Sequence, residues 1–112
     1  MATRGMRWGN IKEYLEVKRL IFERTLLHEN DPRISDYWAK IVDSFGYNEQ
    51  EMIEILNSCS EFEIGWLREV YDDLAFKFRT ENYLRTLEML QKKFPKIDME
   101  FDIQFVKKIV LS

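Results

Sequence analysis

Residues 60–78 read Ser60-Glu61-Phe62-Glu63-Ile64-Gly65-Trp66-Leu67-Arg68-Glu69-Val70-Tyr71-Asp72-Asp73-Leu74-Ala75-Phe76-Lys77-Phe78, and how this run is read decides the fold. Ser60 can cap a first helical turn while Glu63, three residues on, reaches back to the capping residue's own amide. At 100° per residue Leu67, Val70, Tyr71, Leu74 and Phe78 fall on one broad face, the core stripe of a single amphipathic helix ending near Arg79. The opposite face carries Phe62, Gly65, Glu69, Asp72, Asp73 and Phe76, aromatics and carboxylates where a solvated helix usually alternates its charges. Either this helix is buried on two sides or its second face meets a partner.

Outward from this run, the same period recurs on both sides. Asn10 followed by Glu13 predicts a capped helix over about 11–28, with Ile11, Tyr14, Leu15, Ile21, Phe22 and Leu26 as one wide apolar face. Asn30-Asp31-Pro32 breaks it, because the residue before a proline is pushed out of helical geometry. A second helix is expected from Ile34 or Ser35 to Phe45, with Trp38, Ile41, Val42 and Phe45 inward and Gly46 as the stop. Asn48 with Glu51 repeats the capping pattern before a short third helix carrying Met52, Ile53, Leu56 and Cys59 inward. After residues 60–78, Thr80 caps a fifth helix to about Phe94 with Tyr83, Leu84, Leu87, Leu90 and Phe94 on one face, and Pro95 ends it. The tail from Ile97 to Phe105 alternates like a strand, but Met99, Ile103, Val106 and Val110 also fit a helical face with Asp98 as cap. No second strand exists to pair with it, so a helix is expected.

The expected fold class is therefore all-α: a compact array of about six short antiparallel helices in a single domain. Residues 1–9 are expected to form a flexible polar leader and residues 10–112 the helical domain. At 112 residues such a domain buries roughly two-thirds of the surface its unfolded chain exposes. A composition of 46% hydrophobic and 33% charged residues fits a soluble globular protein rather than a disordered one. Cys59 is the only cysteine, so no internal disulfide can form and a reducing, cytoplasmic home is expected. No segment approaches the ~20 apolar residues needed to span a bilayer, and no membrane partner is expected.

The net charge of −3 conceals a segregation. Residues 1–30 carry six basic and four acidic side chains, residues 31–73 three and eleven, and residues 74–112 eight and five. A domain that binds nucleic acid by neutralising phosphates needs a clustered basic surface, so an acidic middle of −8 argues against that class.

Candidate chemistry is sparse. His28, the only histidine, follows the first helix with no serine or cysteine motif to frame it, and suits the helix's negative end as well as any catalytic role. Cys59 lies on an apolar face, where inert cysteine is the common case. Glu69, Asp72 and Asp73 are helical neighbours and could attract Mg²⁺ or Ca²⁺, but no EF-hand loop or second ligand motif accompanies them. Trp38 and Trp66 are read as mainly core, with Trp66 at the stripe's edge, rather than joining Trp8 in a ligand cage. Gly65 within a helix points to a close approach there. No catalytic residue, cofactor or metal is assigned, and the chain is read as non-enzymatic. Phe62, Glu69, Asp72, Asp73 and Phe76 are instead the candidate partner-binding residues, carboxylates steering a basic partner onto aromatic anchors. Their exposure decides between a docking face and a central helix.

The runs Ile55-Leu56-Asn57-Ser58-Cys59-Ser60, Glu69-Val70-Tyr71-Asp72-Asp73-Leu74 and Leu90-Gln91-Lys92-Lys93-Phe94-Pro95, with Asp98-Met99-Glu100-Phe101-Asp102, resemble small all-helical immunity proteins of bacterial polymorphic toxin and contact-dependent growth inhibition systems. The resemblance covers roughly residues 35–105 and contains no catalytic or ligand motif. It implies a cytoplasmic protein that binds a cognate toxin domain, commonly a nuclease with a basic surface, and neutralises it by occlusion. A free monomer or weak dimer fits that role. The alternative is a helical module that scaffolds or homodimerises through the same face.

Overall fold

A computed structural model describes the backbone of residues 8–112 and side chains from Ile11 onward; residues 1–7 of the leader expected over residues 1–9, and the side chain of Trp8, lie outside the described residues. Every regular element among the described residues is helical, so the all-α class holds. Contacts divide the chain after Cys59 into two compact units.

The first unit contains α1 (Trp8–Thr25), α2 (Ile34–Ser44) and α3 (Glu49–Ser58), with α1 packed against both of the others. Helix α1 covers Trp8, Gly9 and Asn10 among the described residues, so Asn10 lies inside the helix rather than at its cap. Its wide apolar arc resolves into two stripes. Val17, Leu20, Ile21 and Arg24, at helical i, i+3, i+4 and i+7 spacing, are buried, whereas Leu15, Phe22 and Leu26 are more than half exposed. The helix also ends earlier than the periodicity predicts. The Leu26 and Leu27 amides donate to carbonyls only three residues back, and Thr25 Oγ1 donates to the Phe22 carbonyl at 2.6 Å.

The break at Asn30-Asp31-Pro32 is held by Asp31, whose carboxylate accepts from the Arg33 amide at 2.8 Å and from its guanidinium at 2.7 Å. That guanidinium lowers the Asp31 pKa to about 2. In α2, Ile34 and Ile41 are buried, followed by Phe45, while Trp38 and Val42 are half-buried. Gly46 takes φ 70°, the left-handed stop the sequence predicts, and a Cβ there would meet Glu13 Oε2 at 3.1 Å. Asn48 caps α3 by accepting from the Glu51 amide at 3.0 Å. Met52, Ile55, Leu56 and Cys59 are buried; Ile55 takes the inward place expected of Ile53, which is half-buried.

The second unit contains α4 (Glu61–Leu67), a 3₁₀ turn (Arg68–Val70), α5 (Tyr71–Phe78), α6 (Glu81–Lys93) and α7 (Glu100–Val110). Helix α7 packs on α5 and α6. The capping box at Ser60 is complete: the Glu63 amide donates to Ser60 Oγ at 3.2 Å and the Ser60 amide to Glu63 Oε1 at 2.9 Å. The single helix expected over residues 60–78 is broken in its middle. The Arg68 amide donates to the Gly65 carbonyl, three residues back instead of four, and Val70 leaves helical geometry at φ −124°, ψ 11°. Buried Tyr71 offsets the break by donating its hydroxyl to the Ile64 carbonyl at 2.8 Å, and buried Tyr83 donates to the Tyr71 carbonyl at 2.7 Å. The core stripe survives: Ile64, Leu67, Val70, Tyr71, Leu74 and Ala75 are buried, with Phe78 half-buried. Counting this broken run as one, the described residues form the six helical segments that the sequence predicts.

Helix α5 ends on Arg79 at φ 48°, a position usually given to glycine, and the Arg79 guanidinium donates to the Ile109 carbonyl at 3.3 Å. Thr80 caps α6 by accepting from the Tyr83 amide at 3.2 Å. Gln91 orders the turn into α7, donating to the Ile97 carbonyl at 2.6 Å and accepting from the Met99 amide at 2.7 Å. The tail is helical, as expected, with Met99, Ile103, Val106 and Ile109 buried. Met99 rather than Asp98 occupies the cap position, and Ile109 rather than Val110 completes the stripe.

Candidate functional site

The break in residues 60–78 reshapes the candidate face. A 3₁₀ turn advances about 120° per residue instead of 100°, so three such residues rotate α5 by roughly 60° relative to a straight continuation of α4. Phe62, Glu69, Asp72, Asp73 and Phe76 therefore do not share one continuous face. Phe62 and Phe76 are both exposed, at 58% and 55%, which removes the reading in which they pack under neighbouring helices.

Phe62 and Glu69 line an open groove of about 560 Å³ together with Glu61, Gly65, Trp66, Arg68 and Asp102. Trp66, read as core from the sequence, is half-buried, and its ring is tilted 58° against Phe62 with centroids 6.5 Å apart. Arg68 Nε donates to Asp102 Oδ2 at 2.9 Å, tying the 3₁₀ turn to α7 beside the groove. Glu69 also borders a smaller hollow, which it shares with Asp72, Phe101 and Phe105. Asp73 lies next to Asp72 and is exposed, while Phe76 borders neither depression. The structure thus places three of the five expected residues, Phe62, Glu69 and Asp72, in the linings of these two depressions, with Asp73 and Phe76 exposed outside them.

Four residues of this surface escape the sequence reading. Phe101 is 80% exposed and Phe105 50% exposed, and the Arg68–Asp102 ion pair bridges the two depressions. The signal for the aromatics is present: on a helix, Phe101 and Phe105 are i, i+4 neighbours opposite the Met99, Ile103 and Val106 stripe. Strand alternation hides it by placing Met99, Phe101, Ile103 and Phe105 together.

Electrostatically the surface is acidic. Partial burial, followed by the charge of Asp72, raises the Asp73 pKa from its ordinary value. A cation brought near this pair relieves that repulsion.

Cys59 is buried, with its Sγ donating to the Ile55 carbonyl at 3.3 Å. His28 is exposed beyond the end of α1. Among the described residues no group of three His, Cys, Asp or Glu side chains is placed to hold a metal ion, and no helix is long and apolar enough to cross a membrane. Gly65 has no close approach from within the protein: a Cβ built there meets nothing within 4 Å. The expected reason for this glycine fails, although a glycine inside a helix costs about 1 kcal/mol relative to alanine.

No protein-family model matches this sequence, and no curated protein or solved structure matches it either.

Proposed function

We propose that this chain is a non-enzymatic immunity protein of the cytoplasm, binding a basic toxin domain, in the first instance a nuclease, through the groove and hollow of its second unit. The observation that carries this reading is the exposure of Phe62, Phe101 and Phe105 among Glu61, Glu69 and Asp72, with Asp73 beside Asp72. Exposed aromatics framed mostly by carboxylates, with the one cation, Arg68, engaged by Asp102, supply both parts of a recognition surface. The carboxylates accelerate encounter with a basic partner, and the rings provide desolvated anchors that dominate affinity. Inhibition then needs no chemistry: a protein seated over a basic, phosphate-binding surface excludes the substrate that surface was built for.

The test takes the C-terminal domain of the large protein encoded immediately upstream of this gene, where a cognate toxin would lie. Replacing Glu69, Asp72 and Asp73 with lysine is expected to leave the melting temperature nearly unchanged, lower affinity at least tenfold and abolish its salt dependence. Unchanged affinity in that variant places binding elsewhere. Sedimentation of the isolated chain addresses the alternative: a tight dimer without any partner favours a self-associating module.

A further inference from the structure

Gly65 is a helical glycine for which the protein itself gives no reason. Its φ is not positive, so no left-handed turn requires it, and its missing Cβ would touch nothing. Alanine would satisfy the fold and strengthen the helix. The surface around it is less ordinary. On a helix the neighbours of position 65 are three and four residues away, and here they are Glu61, Phe62, Arg68 and Glu69, all of which line the groove. The bare backbone of Gly65 therefore leaves an open pit in the groove lining, where a Cβ would meet nothing. The tilted Phe62 and Trp66 rings, Glu61, Glu69 and the Arg68 paired with Asp102 line the same groove.

A flat cation suits that combination better than a compact one. A guanidinium stacks on an aromatic face while its edge donates two parallel hydrogen bonds to a carboxylate, and an ammonium does neither as well. We infer that Gly65 is the seat for an arginine side chain of the protein partner, kept bare so that the aliphatic stem can lie over it and the guanidinium can stack on an exposed face of the Phe62–Trp66 pair. This rests on the reading of the surface as a docking face for a basic protein, and adds where its central contact falls and which side chain makes it.

The experiment follows the Gly65 amide and Trp66 indole N–H by NMR while a blocked Ala-Arg-Ala tripeptide is titrated in, with Ala-Lys-Ala and Ala-citrulline-Ala tripeptides as comparisons. The arginine peptide is expected to shift both signals in a saturable way, the lysine peptide more weakly, and the citrulline peptide, which lacks the charge, not at all. Gly65→Leu fills the pit without altering a charge and is expected to weaken the arginine titration at least tenfold. Gly65→Ala is expected to melt at or above the wild-type temperature. Equal titrations of wild type and Gly65→Leu, or a citrulline peptide that binds as well as arginine, overturn the pit. A Gly65→Ala protein that melts clearly lower also overturns it, because the glycine then has an internal purpose. Arginine-dependent shifts confined to Phe101 and Phe105 overturn the pit while leaving the acidic docking face in place. Failure of the docking face itself shows separately, as unchanged partner affinity after charge reversal at Glu69, Asp72 and Asp73.

Discussion

Two tyrosine hydroxyls make the break in residues 60–78 tolerable. A 3₁₀ turn leaves a carbonyl without its i+4 amide, and the Ile64 carbonyl is in a buried stretch where water is a poor substitute. The Tyr71 hydroxyl takes that place, and the Tyr83 hydroxyl donates in turn to the Tyr71 carbonyl. Burial pushes the Tyr83 pKa well above its ordinary value, so this phenol stays protonated and remains a donor. Tyr71→Phe keeps the ring and removes only the hydroxyl, leaving the Ile64 carbonyl without its side-chain donor at a cost of about 1–3 kcal/mol. Urea denaturation is expected to show a lower midpoint with unchanged slope. An unchanged midpoint means that the break is satisfied some other way. The sequence marks Tyr71 as an inward residue, and the stripe correctly places it in the core. It cannot show what the hydroxyl does, because the need for a donor arises only once the backbone has left the α-helical ladder.

At the scale of elements, what periodicity reads well is which residues point inward, and what it reads poorly is where a helix bends or begins. The stripe from Leu67 to Leu74 holds across the break because the 3₁₀ turn keeps Val70 inward. The opposite face lacks such a tether, so Phe62, Glu69 and Asp72 line the two depressions while Asp73 and Phe76 lie outside them. The strand-like alternation of residues 97–105 resolves as helix α7 because its buried partners lie on α5 and α6, not along another strand. Between α1 and α3, Glu13 shares a hydrogen bond with Glu51, and burial first, then that neighbour, raises the Glu13 pKa. The sign of the consequence follows. The folded state holds a proton on Glu13 that the unfolded chain gives up at lower pH, so the stabilisation is complete below the unfolded pKa and lost as pH rises through the folded one. Glu13→Gln keeps a neutral hydrogen-bonding group at every pH. It is expected to match wild type in melting temperature near pH 4 and to exceed it at pH 7. The acid-side losses of Glu16, Glu23 and Asp31, whose pKa values are lowered by their hydrogen-bond partners, are common to both proteins and cancel in the comparison. A variant less stable than wild type at pH 7 contradicts the shared-proton account.

On the scale of the whole molecule, the acidic middle segment is legible in the sequence, but not whether the basic segment after it neutralises the binding carboxylates. Several of those cations have other engagements: Lys107 faces Glu88, Arg85 faces Glu81, and Arg79 donates to the Ile109 carbonyl. Burial first, and then the neighbouring carboxylate Asp72, raise the Asp73 pKa in the free protein. A basic partner reverses both influences. It favours the ionised carboxylate, lowers the Asp73 pKa in the complex, and so displaces a proton wherever Asp73 is still protonated in the free chain. By linkage, affinity for the upstream-encoded domain must increase as pH rises through the raised Asp73 range and level off above it. Asp73→Asn is expected to flatten that rise and to weaken binding by about tenfold, or 1.4 kcal/mol, at neutral pH and low salt. Calorimetric titrations in buffers of different ionisation enthalpy, at pH values on either side of the rise, measure the released proton directly. Affinity that falls with increasing pH over this range, or a proton taken up on binding, would mean that Asp73 meets something other than a cation.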